Sequence, residues 1–287
     1  MSAPFPPSVP QSDIAPRSSE QFARTELMLG RDALERLRRS CVLVAGLGAV
    51  GSYAVEALAR SGVGRFRLVD FDVVQPSNIN RQLFATWETV GRSKADVAKE
   101  RIAAINPSAQ VDTRQILIND KTLPSLFADD WTSPPDFVVD AIDSLGPKVA
   151  LIAEVTRRRL PLISSMGAAL RFDASLVRVG RLTDVTCCPL SAQVRKRLRR
   201  FDINTDAVRC VYSPEPIRDR MRAATSGSDG LERVAPAAPL DASNLDSPPG
   251  RPRNSLGSLP TIVGIFGLTL AHEVIAGLIG GFASLDR

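Results

Sequence analysis

Two kinds of hydrophobic pattern alternate along the chain. Short, predominantly apolar runs occur at 41–45, 66–69, 137–143 and 160–165, rich in Val, Leu and Ile. Runs of that length and composition predict strands buried on both faces. Between them, apolar residues recur at steps of three and four. That spacing predicts a helix over 22–37, interrupted at Gly30, and another running from Val50 through Ala54, Ala57 and Leu58. Two more are predicted over 94–105, stopped by Asn106-Pro107, and over 147–159, opened by Pro147. A polar loop at 72–81, an alternating strand at 111–118 and a short helix at 122–127 fill the gaps.

Such alternation predicts an α/β fold: a Rossmann-like, mostly parallel sheet with helices on both faces. Beyond Ser165 the pattern loosens into a strand at 175–180 and a basic helix at 187–200, and strong hydrophobicity returns over 256–281. These elements predict a C-terminal extension that adds strands and a buried apolar helix. The expected organisation is a disordered tail (1–20), a central α/β domain (21–182), a basic helical extension (183–213), a flexible low-complexity insertion (214–253) and a C-terminal apolar helix packed on the domain (254–287).

The segment 46–51 reads Gly46-Leu47-Gly48-Ala49-Val50-Gly51 and lies between a predicted strand and a predicted helix. In this G-x-G-x-x-G pattern the first glycine permits a tight turn. The second lets a phosphate approach the backbone, and the third lets helix and strand pack closely. The helix N-terminus adds free N–H groups and partial positive charge. Asp70 ends the next strand, where an acid can accept hydrogen bonds from a ribose. The turn and Asp70 predict a nucleotide site and leave the choice between NAD and ATP open. In an open parallel sheet, ligands bind beyond the carboxyl ends of the strands. Strand polarity therefore puts the 46–51 turn, Asp70, Asp143 and the 164–167 turn on one rim.

The next residues bear on that choice. Asp70-Phe71-Asp72 is followed by Asn78-Ile79-Asn80-Arg81-Gln82 and then by Gly91-Arg92-Ser93-Lys94. A dehydrogenase needs no second cluster of cations here, whereas nucleotidyl transfer must neutralise a triphosphate before a carboxylate attacks its α-phosphorus. Arg81 and Lys94 suit phosphate clamps, and Asp143 suits a Mg²⁺ ligand. Asn78 and Asn80 suit either fixing the loop or touching phosphate. The candidate catalytic residues are Arg81, Lys94 and Asp143. The candidate nucleotide-binding set is Gly46, Gly48, Gly51, Asp70, Asp72, Asn78, Asn80, Arg81, Gln82, Lys94, Asp143 and Ser144.

On these residues the stretch 21–165 resembles the adenylating domain of the ubiquitin-activating-like superfamily, which includes the sulfur-carrier adenylyltransferases of molybdopterin and thiamine synthesis. The resemblance implies ATP as the nucleotide, Asp70 on its ribose, Arg81 and Lys94 on its phosphates, and Asp143 on Mg²⁺. Arg24 resembles an arginine that reaches the partner subunit's ATP in dimeric members, which implies a homodimer. Further segments are similar to the tRNA threonylcarbamoyladenosine dehydratases: RTELMLG at 24–30, EALARSGVG at 56–64, NINRQ at 78–82, INP at 105–107 and DAIDS at 140–144. The similarity continues through Lys148, ALIAEV at 150–155, CVYSPE at 210–215 and NSLGSLPTIVGIFG at 254–267. It implies a tRNA substrate whose threonylcarbamoyl carboxylate, on adenosine 37, is adenylated and then closed into a ring. Ring closure within one molecule supplies its own effective concentration.

Composition narrows the rest. The chain has 287 residues, 44% hydrophobic and 23% charged, as in an ordinary globular protein with a sizeable core. Its formal charge of +5 permits an anionic partner such as RNA without requiring one. Dense positive runs stand at 157–159 and 195–200, as solvated helix faces or as contacts to tRNA phosphates. Four cysteines show no disulfide framework, which suggests a reducing compartment. The 1–20 segment lacks the apolar core of a secretory signal, so the expected location is cytoplasmic, with the mitochondrion or its outer membrane as the alternative. The paired C-x-x-C motifs of zinc-bearing sulfur-carrier activators are missing. Cys187, Cys188, Cys210 and His272 suit a tetrahedral site poorly because two are adjacent, so no zinc is expected. Cys187, Cys188 and Cys210 are also the candidates for an acyl-accepting thiol. The 259–281 run is long enough to cross a bilayer, but His272-Glu273 interrupts it and no basic cluster flanks it. A buried helix is favoured over membrane association. Rival functions are activation of a protein ending in Gly-Gly, a non-catalytic scaffold, and an NAD oxidoreductase.

Overall fold

The computed structural model describes residues 20–127, 134–217 and 256–280. Of the expected tail, residues 1–19, and of the expected insertion, residues 218–253, lie outside the described residues. Two helices, α1 (Ala23–Leu29) and α2 (Arg31–Arg39), replace the single interrupted one. The break falls at Gly30, whose φ of 85° a helix cannot accommodate. Then follow β1 (Cys41–Ala45), α3 (Gly51–Arg60), β2 (Arg65–Val69), α4 (Lys94–Ile105), β3 (Gln110–Arg114), β4 (Phe137–Asp140), α5 (Leu145–Arg157) and β5 (Leu162–Ser165). The C-terminal part adds β6 (Arg178–Arg181), α6 (Pro189–Leu198), β7 (Arg209–Tyr212) and α7 (Pro260–Leu278).

The seven strands form one sheet in the order β3-β2-β1-β4-β5-β7-β6. Every pairing is parallel except β6 with β7. Side chains of β1 alternate between faces, as a strand requires. Val42 and Val44 join the core under α3, α4 and α7, whereas Leu43 and Ala45 join the core under α5. Both faces are thus covered. Strand order reverses between β1 and β4, the place where open α/β sheets bind ligands. Register sharpens that placement. Ala45 pairs with Val69 on one side and with Asp140 on the other, so Gly46, Asp70 and Ala141 leave the sheet at one level.

The expected strand 111–118 is shorter than its apolar run. It ends at Arg114, whose carbonyl accepts from the Asp70 N–H, and 116–118 turns away to wall the cavity described below.

α7 is the predicted apolar helix. It is long and apolar enough to cross a bilayer, yet half of that window is buried inside the molecule. Phe266, Leu270, Ala271 and Val274 are buried in the α3 core. Glu273 is buried too and pairs with Arg209 of β7, which ties the helix to the sheet. Glycines let α7 approach α3 closely: a Cβ on Gly267 would stand 2.4 Å from the Val50 carbonyl and 2.7 Å from Tyr53 Cβ. Gly267→Ala is expected to push the helices apart at a cost of about 1–3 kcal/mol. It should lower the urea midpoint, and an unchanged midpoint would show that α7 does not dock there.

Candidate active site

The glycine turn joins β1 to the N-terminus of α3. Each of its glycines answers a different neighbour. A Cβ on Gly46 would meet the Ala141 carbonyl oxygen at 2.8 Å, and one on Gly51 would overlap the Gly46 carbonyl oxygen at 1.8 Å. Those two let the turn sit against the end of β4 and fold back on itself. Gly48 has no such reason inside the protein, since its Cβ would find only Gln82 Nε2, at 3.7 Å. The open space over Gly48 is what a phosphate against the backbone requires.

Asp70 does more than the sequence suggests. Its Oδ2 accepts from the Leu47 N–H at 2.7 Å and its Oδ1 from the Asp72 N–H at 2.9 Å. The carboxylate therefore clamps the glycine turn to the end of β2. Burial pushes its pKa up, and the nearby Lys94 charge and the two N–H donors hold it down. Lys94 opens α4, is buried, and donates to Asp72 Oδ2 at 2.9 Å. The lysine thus reaches the site already paired with an acid.

The 70–93 loop is built by its own polar residues. Asn78 is buried and accepts from the Gln75 N–H at 3.1 Å, so of its two expected roles the structure shows loop fixing. Asn80 donates to the Ser258 carbonyl at 3.3 Å and ties the loop to the segment before α7. Arg81 donates to the Ser77 carbonyl at 2.6 Å and to Asn80 Oδ1 at 2.9 Å. Burial lowers its pKa and the Asp143 carboxylate partly offsets this. Arg81 stays a cation, because a guanidinium keeps its proton in proteins. Asp143 is exposed beyond β4, and the Ser144 hydroxyl donates to its Oδ1 at 3.2 Å.

These residues line one cavity of about 700 Å³, within the range of small-molecule sites. Gly46, Gly48, Asp70, Asp72, Asn78, Arg81, Gln82, Lys94, Asp143 and Ser144 all line it; Gly51 supports it from behind, and Asn80 lies outside it. Val50, before α3, and Ser144, before α5, both lie on its wall, so two helix N-termini open onto it. That arrangement favours an anion. Further walls come from Ile116, Leu117 and Ile118, from 165–169 after β5, and from Leu256, Ser258 and Val263. The 116–118 wall is apolar and suits a flat base. Arg24 is exposed on α1 and is absent from the cavity lining.

Sequence reasoning passed over the polar group under this cavity. Lys148 is fully buried and donates to Asp140 Oδ2 at 2.6 Å, Ser164 Oγ at 3.2 Å and the Ser165 carbonyl at 2.9 Å. All three ammonium protons are used. The lysine pins the ends of β4 and β5 together, directly below Asp143 and the 165–169 wall. The signal was present as a lysine inside the apolar 145–157 helix and an acid at the end of the buried FVVD strand.

The cysteines divide by setting. Burial pushes the Cys41 thiol up to about 11 and the Cys210 thiol up to about 12, so both stay protonated. Cys188 caps α6, with its Sγ accepting from the Ser191 and Gly167 N–H groups at 3.4 Å each. Cys187 is exposed. Among the described residues, no three His, Cys, Asp or Glu side chains gather into a metal cage.

The fold and the site define a nucleotide-binding α/β domain that gathers phosphate turn, cations and acids in one cavity. The chain belongs to the ThiF family, whose sequence model matches residues 19–284. It is 40% identical over 222 residues to the tRNA threonylcarbamoyladenosine dehydratase of Bacillus subtilis, covering 76% of this chain and 85% of that protein. It is 35% identical over 145 residues to the molybdopterin-synthase adenylyltransferase of Escherichia coli, covering 50% of this chain and 55% of the relative. Among solved structures, E. coli tRNA N6-threonylcarbamoyladenosine dehydratase in complex with ATP superposes with a TM-score of 0.75 at 28% identity. The match covers 95% of this chain and 99% of that one.

Lys148→Met would leave Asp140 charged, buried and unpaired. The expected loss of stability is about 3–5 kcal/mol. Asp140→Leu combined with Lys148→Met should recover part of it, read by denaturant unfolding. A fully additive pair would contradict the coupling.

Proposed function

We propose that this enzyme uses ATP to adenylate the carboxylate of threonylcarbamoyladenosine at position 37 of tRNA and promotes its cyclisation. The observation that carries the reading is the meeting of Gly48, Arg81 and Asp143 across one cavity, in a chain whose likeness to a named dehydratase spans three quarters of its length. The cavity has room for a nucleotide, an open backbone approach at Gly48 and an apolar wall at 116–118. Those features fit ATP. The triphosphate would lie over the turn and the α3 N-terminus, with the ribose near Asp70. Asp70 accepts two backbone N–H groups and keeps further lone pairs that could accept from ribose hydroxyls.

Arg81 and the two helix N-termini balance charge as the substrate carboxylate attacks the α-phosphorus and pyrophosphate leaves. Lys94 contributes as the Lys94–Asp72 pair, which holds the loop bearing Arg81 while its side chain lines the cavity. Asp143 would hold Mg²⁺ together with phosphate oxygens, and the ion would supply further charge neutralisation. An internal nucleophile of the same modified nucleoside then displaces AMP. The oxygen lost overall as water departs on AMP, so the net change is an ATP-driven dehydration.

α1 supports a homodimer. It buries none of its residues, and Leu27 and Met28 are 80% and 85% exposed beside Arg24, spaced along one helical face. A second copy covering this face would carry Arg24 toward the partner's cavity. The docking of α7 on α3 suits a soluble, cytoplasmic protein. Activation of a protein ending in Gly-Gly is the second reading. It is favoured only by the adenylyltransferase likeness, which spans half of this chain.

Arg81→Ala or Asp143→Ala should lower cyclic product by about 10²–10³-fold, as loss of one charge-stabilising group does. Mass spectrometry of tRNA nucleosides after incubation with ATP reads this out, and full turnover by either variant would remove the assignment. Leu27→Glu with Met28→Glu should yield a monomer by light scattering, and an unchanged dimer would place the interface elsewhere.

A further inference from the structure

We propose that the far end of the α5–α6 helix pair is the surface that grips the RNA backbone of the substrate, an inference that rests on the tRNA reading above. Both helices start at the cavity, where Pro147 and Leu190 line the wall. They pack side by side and end together, since the Arg157 guanidinium lies 5.8 Å from the Phe201 ring just past α6. The two basic runs of the sequence therefore merge into one patch at the ends of these helices.

The cations in this patch are not equivalent. Arg195 builds the fold: its guanidinium donates to the Leu182 and Val185 carbonyls at 2.9 Å each. Arg157 and Arg158 share Glu154, at 3.8 and 2.7 Å. By contrast, Arg159, Lys196, Arg197, Arg199 and Arg200 are exposed, and among the described residues their side chains make no ion pair or hydrogen bond. One or two cations would complement the negative ends of two helices. Five without partners, beside two that are half-committed, exceed that need and repel one another. A polyanion removes the repulsion and releases its own counterions. Phe201, 50% exposed among them, offers an aromatic ring of the kind on which unstacked RNA bases stack. A lone aromatic on an otherwise charged helix end lacks the apolar face that a membrane-surface helix needs.

Reach agrees with this placement. From Leu190 at the cavity, Lys196 lies about 9 Å and Arg200 about 15 Å along the helix axis. A nucleotide held in the cavity would have its neighbours in the chain pass along this flank. The cavity reads the modified base and α6 tracks phosphates.

The test uses the full-length protein and unmodified-anticodon and substrate tRNAs, followed by fluorescence anisotropy over a salt series. Lys196→Glu with Arg200→Glu should weaken tRNA binding at least tenfold and flatten the log–log salt slope by about 1.4, as loss of two single-strand phosphate contacts predicts. ATP affinity by calorimetry should stay at the wild-type value, which also shows that the variant is folded. Lys196→Gln with Arg200→Gln should give a smaller loss in the same direction. Lys99→Glu with Lys121→Glu, equal in charge but elsewhere on the surface, should change little. Equal losses in both charge-reversed pairs would reduce the effect to net charge and overturn the proposal. So would wild-type affinity and slope in the 196/200 variant, or a loss confined to phosphatidylserine vesicles. Wild-type protein that binds no tRNA would instead bring down the functional reading itself.

Discussion

The structure depends on a stack of backbone contacts made where side chains are missing. The end of β4 touches Gly46, Gly46 touches Gly51, and Val50 touches Gly267 of α7. Four elements thus meet at distances that a Cβ would forbid. The glycine turn is held between the sheet and the C-terminal helix, and that packing fixes the orientation of its backbone. Close packing of this kind transmits strain rather than absorbing it, so a change far along the chain at Gly267 acts on the turn at 46–51. The carboxylate of Asp70 completes the constraint by holding Leu47.

Around that rigid centre, charge is handled in two ways. Below the cavity, Lys148 and Asp140 neutralise each other out of water, with Ser164 and the Ser165 carbonyl taking the remaining protons. Such a pair contributes little net stability compared with apolar residues, yet breaking it is costly. Its effect is to fix the levels of β4 and β5 against each other. At the cavity wall, Arg81 is only partly engaged, and Asp143 faces solvent. The lower layer sets position, and the upper layer puts a cation and a carboxylate on the cavity wall.

Much of this was legible in the sequence. The parallel sheet, the turn and the placing of Asp70 and Asp143 on one rim follow from strand polarity and the glycine spacing, and Arg81 and Lys94 from the cations that come next in the chain. What escaped depends on contacts between distant segments. Nothing local says that 116–118 leaves the sheet to wall the cavity, because an extended apolar run looks the same on or off a ladder. Asn78 and Asn80 read alike in sequence, and only the loop's closure on Gln75 and on Ser258 separates an internal brace from a tie to the C-terminal segment. Lys148 was visible as an oddity, a charge on the buried side of a helix. Its partner, however, lies on a neighbouring strand end and had to be seen in three dimensions.

The apolar helix α7 shows how composition alone misleads. By length and hydropathy it passes for a membrane span. Its glycines and its one buried acid point the other way once their neighbours are known. A membrane helix also packs through glycines, but Glu273 pairs with Arg209 on a strand of the sheet, which ties α7 to that strand. The same helix brings Val263 to the cavity and is preceded by Leu256 and Ser258 on its wall. The first 165 residues therefore build the glycine turn and its charges, and the C-terminal region adds a wall to the same cavity.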